Sequence, residues 1–130
     1  MMRTGEIYKW VTQKATGHNQ RTKYHVFISE DSVYQNVFLF INSENYYQDF
    51  EILQSDYTFL TKPSSFISCS DVVCYDHNEL EHVPQKEQLG KLKKECMEKL
   101  AQHIASSHVM ETRFINIICR ALRFALEEKN

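Results

Sequence analysis

The stretch VFLFINSENYYQDFEI, residues 37–52, sets the architecture. Its first five residues, Val37-Phe38-Leu39-Phe40-Ile41, are apolar at every position. A strand there is apolar on both faces and needs cover on each side, one cover being a helix. Asn42-Ser43-Glu44-Asn45 then ends the run with small side chains that bond their own backbone and tolerate tight bends. Strand character returns at Asp49-Phe50-Glu51-Ile52-Leu53. Such a polar cluster is a turn or the wall of a site, depending on what lies beside Ser43.

Outward from this strand, residues 5–11 (GEIYKWV), 23–29 (KYHVFIS), 36–42 and 66–75 (FISCSDVVCY) are short and rich in Val, Ile, Phe and Tyr, and read as further strands. In KYHVFIS the period-2 pattern puts Tyr24, Val26 and Ile28 on one face and Lys23, His25 and Phe27 on the other. TQKATGHNQRT, between the first two strands, is a long polar loop of the kind that carries function or is mobile. After Pro84 the period changes. Leu89, Leu92, Cys96, Leu100 and Ile104 fall at helical spacing, Ser106-Ser107 interrupts, and Phe114 to Ala125 forms a second, broader stripe. The pattern predicts an α+β fold of about five strands over residues 1–83. A helical extension over residues 84–130 packs on that sheet, and the whole forms a single domain.

The chain has 130 residues, 42% of them hydrophobic, with three glycines and two prolines, which suits one compact domain with a core of its own. Its start carries no apolar run of signal-peptide length, and no window reaches the ~18 apolar residues of a membrane span. A cytoplasmic protein with no membrane partner is the expectation, and four cysteines are then expected to stay reduced. Charge is unevenly spread. Residues 1–30 hold five basic and two acidic side chains, residues 31–82 nine acids against the single base Lys62, and residues 83–130 nine bases against six acids. An anionic partner would therefore be held locally.

Two clusters of residues could carry chemistry. In QRTKYHVFIS, residues 20–29, Arg21, Lys23 and His25 lie two apart, sharing a face at the exposed junction of the loop and the second strand. RNA can be cut by its own 2'-hydroxyl when one group removes that proton, another protonates the leaving oxygen and a cation stabilises the phosphate. Arg21 suits the cation role, and His18 or His25 could exchange the proton. CSDVVCYDHNELEH, residues 69–82, spells C-x4-C-x2-H-x4-H, a possible zinc pattern. The odd separation of Cys69 and Cys74 would put them on opposite faces of a continuous strand, so no metal is expected. Of the tyrosines, the pair Tyr46-Tyr47 beside Ser43 is the one expected to face a ligand and stack RNA bases.

The order of these features resembles the MazF/PemK family of toxin endoribonucleases: GEIY, a long polar loop, a basic residue heading the second strand, a hydrophobic strand running into INSENYYQDFEI, then SCSDVV. The resemblance spans residues 5–76. It implies an SH3-like barrel and cleavage of single-stranded RNA by 2'-hydroxyl attack without metal or cofactor. Lys23 matches the family's Arg, with Arg21 as neighbour, and Ser43 matches its Thr or Ser. The catalytic set would be Arg21, Lys23, Ser43 and His25, with His18, Tyr46 and Tyr47 binding RNA. A homodimer and a small acidic antitoxin protein are the implied partners. The family's Arg-Pro pair is Lys23-Tyr24 here. The alternative expectation is therefore a catalytically inactive SH3-like module that engages a protein or nucleic-acid partner.

Overall fold

A computed structural model describes residues 1–15 and 19–128. The elements run β1 (Glu6–Thr12), β2 (Arg21–Asp31), β3 (Gln35–Asn42), β4 (Phe50–Leu53), β5 (Ser64–Tyr75), α1 (His77–Glu81), β6 (Glu87–Lys91), α2 (Lys94–Ala105) and α3 (Thr112–Glu127). The strands form one antiparallel sheet in the order β4-β5-β3-β2-β1-β6, curled into a half-barrel.

As its composition requires, β3 is central, paired with β2 and β5. Val37, Leu39 and Ile41 point into a large core shared with Met97, Leu100 and Ile104 of α2 and Ile118 and Leu122 of α3. Phe38 and Phe40 point the other way, into a smaller aromatic cluster with Trp10, Phe27 and Tyr75. β2 divides as its alternation predicts: Val26 and Ile28 face the helices, while Phe27 joins the aromatic side.

The region after residue 83 departs from a purely helical reading. Leu89 lies in β6, which pairs with β1, and α2 begins only at Lys94. Leu89 and Leu92 continue the helical spacing by coincidence, since a strand and an extended link can present apolar residues three apart as readily as a helix turn. The sheet therefore has six strands, and its last one comes from the segment expected to be helical. The gap between β4 and β6 is narrowed by the β4–β5 loop: Tyr57 Oη accepts the Lys93 N–H at 3.1 Å, and a Phe59 ring carbon lies 3.2 Å from where a Cβ on Gly90 would stand. Between the helices, Ser107 Oγ accepts the N–H groups of Val109 and Met110.

β5 carries the main irregularity. Ile41 pairs with Ile67, whereas Leu39 pairs with Val72, so β5 bulges between these points. The extra residues reset its alternation, and Cys69 and Cys74 both face the helix-side core despite their odd separation. The expectation of opposite faces is thus corrected by the bulge. Both thiols are pushed up by burial, Cys69 to about 12, and no group of three His, Cys, Asp or Glu side chains among the described residues converges on a metal position. His77 instead opens α1, which Asp76 and Glu79 close with a reciprocal capping box.

Gly5, at the head of β1, has φ +91°, donates to Phe27 O and accepts from Leu92 N–H. A Cβ there would sit 2.8 Å from Met97 Sδ. Gly5→Ala is expected to cost on the order of 2–3 kcal/mol from left-handed backbone strain and overpacking. Urea unfolding measures the loss, and a midpoint unchanged from wild type would contradict this packing.

Candidate functional site

Arg21 and Lys23 leave the start of β2 on the aromatic face of the sheet, opposite the helices. Beside them on β3 stand Phe40 and Asn42, and beyond these on β5 stand Ser68 and Ser70. Tyr46 and Tyr47, 59% and 62% exposed, form the rim from the β3–β4 loop. Together these groups line a cavity of about 300 Å³ that also includes Ala15, Asp49 and Asp71.

The loop that carries the tyrosines is held by the polar residues that end the opening strand. Asn45 Oδ1 accepts the Asp49 N–H at 2.9 Å, and Gln48 takes a positive φ of 55°. Asp49 is 6% exposed; its Oδ2 accepts the Tyr46 N–H and its Oδ1 the Cys69 N–H, both at 3.0 Å. From the other side, His103 Nε2 of α2 donates to Gln48 O at 2.6 Å. Asn45 and Asp49 are thus turn chemistry, and that turn positions Tyr46 and Tyr47. Asn42 has a different partner: its Oδ1 accepts from Lys23 Nζ.

Lys23 is half-buried, and its ammonium lies 5.1 Å from the Phe40 ring centroid. Burial, reinforced by the neighbouring Arg21 charge, lowers its pKa below the ordinary lysine value. The expectation that Lys23 sits at an exposed loop end is corrected here: the amide of Asn42 and the ring of Phe40 hold it against the sheet. Arg21 is exposed, as expected.

His25 shares the face of Lys23, but it lies in the interior with no exposed surface. Its ring stacks on Trp10 with centroids 3.8 Å apart and planes 18° apart. Nδ1 donates to Lys23 O at 3.0 Å, and Nε2 accepts from Tyr75 Oη at 2.9 Å. Thr12 Oγ1 completes the chain, 2.7 Å from Tyr75 Oη. Each polar atom of a neutral imidazole is satisfied, and burial pushes its pKa down to about 3. His25 therefore cannot exchange a proton with a ligand in the cavity, and the catalytic role expected of it is withdrawn. His18 lies outside the described residues. Ser43 is exposed and does not line the cavity; it faces a second depression on the far side of Lys23 and Asn42.

The depressed pKa of His25 makes a prediction about stability. The unfolded chain binds a proton at this residue near pH 6.5 and the folded chain does not, so stability falls as pH drops from 6.5 toward 3. Between pH 7 and pH 5 the loss is about 2 kcal/mol for this group. Urea midpoints across that range should show it, and His25→Gln should flatten the slope. A wild-type midpoint independent of pH over the interval would show that the ring is not held neutral.

Sequence reasoning named Arg21, Lys23, Tyr46 and Tyr47, and all four line the cavity. It read Asn42 only as part of a polar cluster that could wall a site, and it missed Phe40, Ser68, Ser70 and Asp71. The period-2 spacing of Ser68 and Ser70 in β5 is the signal that could have found two of them. No family model and no curated protein matches the chain. No helix among the described residues is long and apolar enough to cross a membrane.

Proposed function

We propose that the cavity takes a nucleotide of single-stranded RNA and that the protein is an endoribonuclease of the MazF/PemK kind, built on an SH3-like barrel. The observation that carries this reading is the convergence of Arg21, Lys23, Tyr46 and Tyr47 on one cavity of about 300 Å³. Cations beside exposed aromatic rings are what a phosphate followed by a base requires. Arg21 offers a planar fork of donors to the phosphate oxygens, and Lys23, with its lowered pKa, gives a proton to the departing 5'-oxygen. Asp49 is committed to backbone N–H groups, which leaves Asp71 as the lining carboxylate available to take the 2'-hydroxyl proton. The 2'-oxygen then bonds to phosphorus, and the products are a 2',3'-cyclic phosphate and a free 5'-hydroxyl. Ser43 contacts the strand where it leaves the cavity. The outer face of α3, where Phe124 stands exposed beside Arg120 and Arg123, suits a small acidic antitoxin protein, and a homodimer belongs to the same reading.

One observation favours a second reading, binding without cleavage: the histidine on this face is sealed under the sheet, so no imidazole among the described residues reaches the cavity. Incubation with a long unstructured RNA in excess chelator separates the two. Discrete fragments ending in cyclic phosphate are expected. Retarded but intact RNA would establish the binding module, and RNA neither bound nor cut would overturn both readings.

A further inference from the structure

Lys23 and Asn42 form a wall with a compartment on each side. One is the cavity of Arg21 and the two tyrosines; the other is an open depression of about 390 Å³. The depression draws Lys9 from β1, Lys23 from β2 and Lys62 from the β4–β5 loop, with the hydroxyl-bearing residues Ser43 and Thr61 between them. No Asp or Glu among the described residues lines it. That composition is unusual for this chain, because Lys62 is the only base among residues 31–82, which hold nine acids. Glu87 competes for Lys9, its Oε1 lying 3.5 Å from Lys9 Nζ. Both side chains are well exposed, so the pair is held weakly and Lys9 can turn to another anion. Tyr24 also lines the depression, where its ring makes a T-shaped contact with Phe59.

We propose that this depression is a second phosphate subsite, which binds the phosphate adjoining the nucleotide held in the cavity, on the same RNA strand. The inference rests on the RNA reading of the cavity and adds the direction in which the strand leaves it: across Lys23 and Asn42 toward Lys62. Two compartments that share a wall suit consecutive parts of one polymer. Cations and hydroxyls without carboxylates suit phosphate oxygens. Ser43, which lies outside the cavity, then meets the backbone at the crossing.

The test measures binding of 2'-O-methyl oligonucleotides, which cannot be cleaved, by fluorescence anisotropy across a salt series. The ligands are a mononucleotide and a trinucleotide; the proteins are the full chain, Lys9→Gln, Lys62→Gln and Arg21→Ala. Each lysine variant should weaken the trinucleotide several-fold and reduce the slope of log affinity on log salt by about 0.7, with the mononucleotide unaffected. Arg21→Ala should weaken both ligands. If Arg21→Ala weakens binding while both lysine variants bind the trinucleotide with wild-type affinity and slope, the subsite is refuted and the cavity reading stands. If the wild-type chain binds neither oligonucleotide, the cavity reading fails and the subsite with it. Lys62-dependent capture of poly-glutamate in place of the trinucleotide would likewise overturn the subsite.

Discussion

Arg21→Ala is expected to lower RNA cleavage by 10²–10³-fold, the loss that follows removal of one preorganised donor to transition-state charge, about 3–4 kcal/mol. Arg21 is exposed, and the structure gives its side chain no ion pair or packing role among the described residues. Its replacement should therefore leave stability within about 0.5 kcal/mol. Lys23→Ala should cost a similar factor in rate and about 1 kcal/mol of stability as well, because it removes the bond to Asn42 and the contact with Phe40. Ser43→Ala should act in the same direction with a smaller loss, since a neutral hydroxyl contributes less than a cation. Arg21→Ala is thus the variant that separates chemistry from folding. Single-turnover rates with matched urea titrations read both quantities. Wild-type cleavage by all three variants, or loss only through unfolding, would remove this corner of β2 from the reaction.

The second large effect concerns the helical cover. Deleting residues 84–130 takes away β6 and both long helices. This exposes Val26, Ile28, Val37, Leu39 and Ile41, all now buried under them, and leaves β1 as an unpaired edge. A sheet stripped of one apolar cover and given a new free edge associates with itself. The fragment 1–83 is expected to be insoluble. Recovery of that fragment as a soluble, cooperatively unfolding species would show that the sheet does not depend on the helices.

The strands were legible because each has its own local signature. The uninterrupted VFLFI fixed a central strand covered on both sides, and the alternation of KYHVFIS fixed which of its residues share a face. What misled was parity and spacing read across an irregularity. The bulge in β5 brings Cys69 and Cys74 to one side, and Leu89 lies in a strand although its spacing to Leu92 is helical. The candidate site was half legible for a related reason. Sharing a face says that Lys23 and His25 point the same way, but not how deep each lies. Depth is set by Trp10 of β1 and by Tyr75 at the end of β5, and they seal His25 while Lys23 stays half-open. The polar cluster after β3 was ambiguous between turn and site, and it divides: Asn45 makes the turn, while Asn42 meets Lys23 at the wall of the cavity.

Amide chemical-shift mapping can locate the binding site on the sheet. Isotope-labelled full-length chain would be titrated with a short 2'-O-methyl single strand at low salt. The largest shifts are predicted at Lys23, Asn42, Tyr46, Tyr47, Ser68 and Ser70, in three strands and a loop that converge on this cavity. Shifts confined to the outer face of α3, with those six amides unmoved, would contradict this placement.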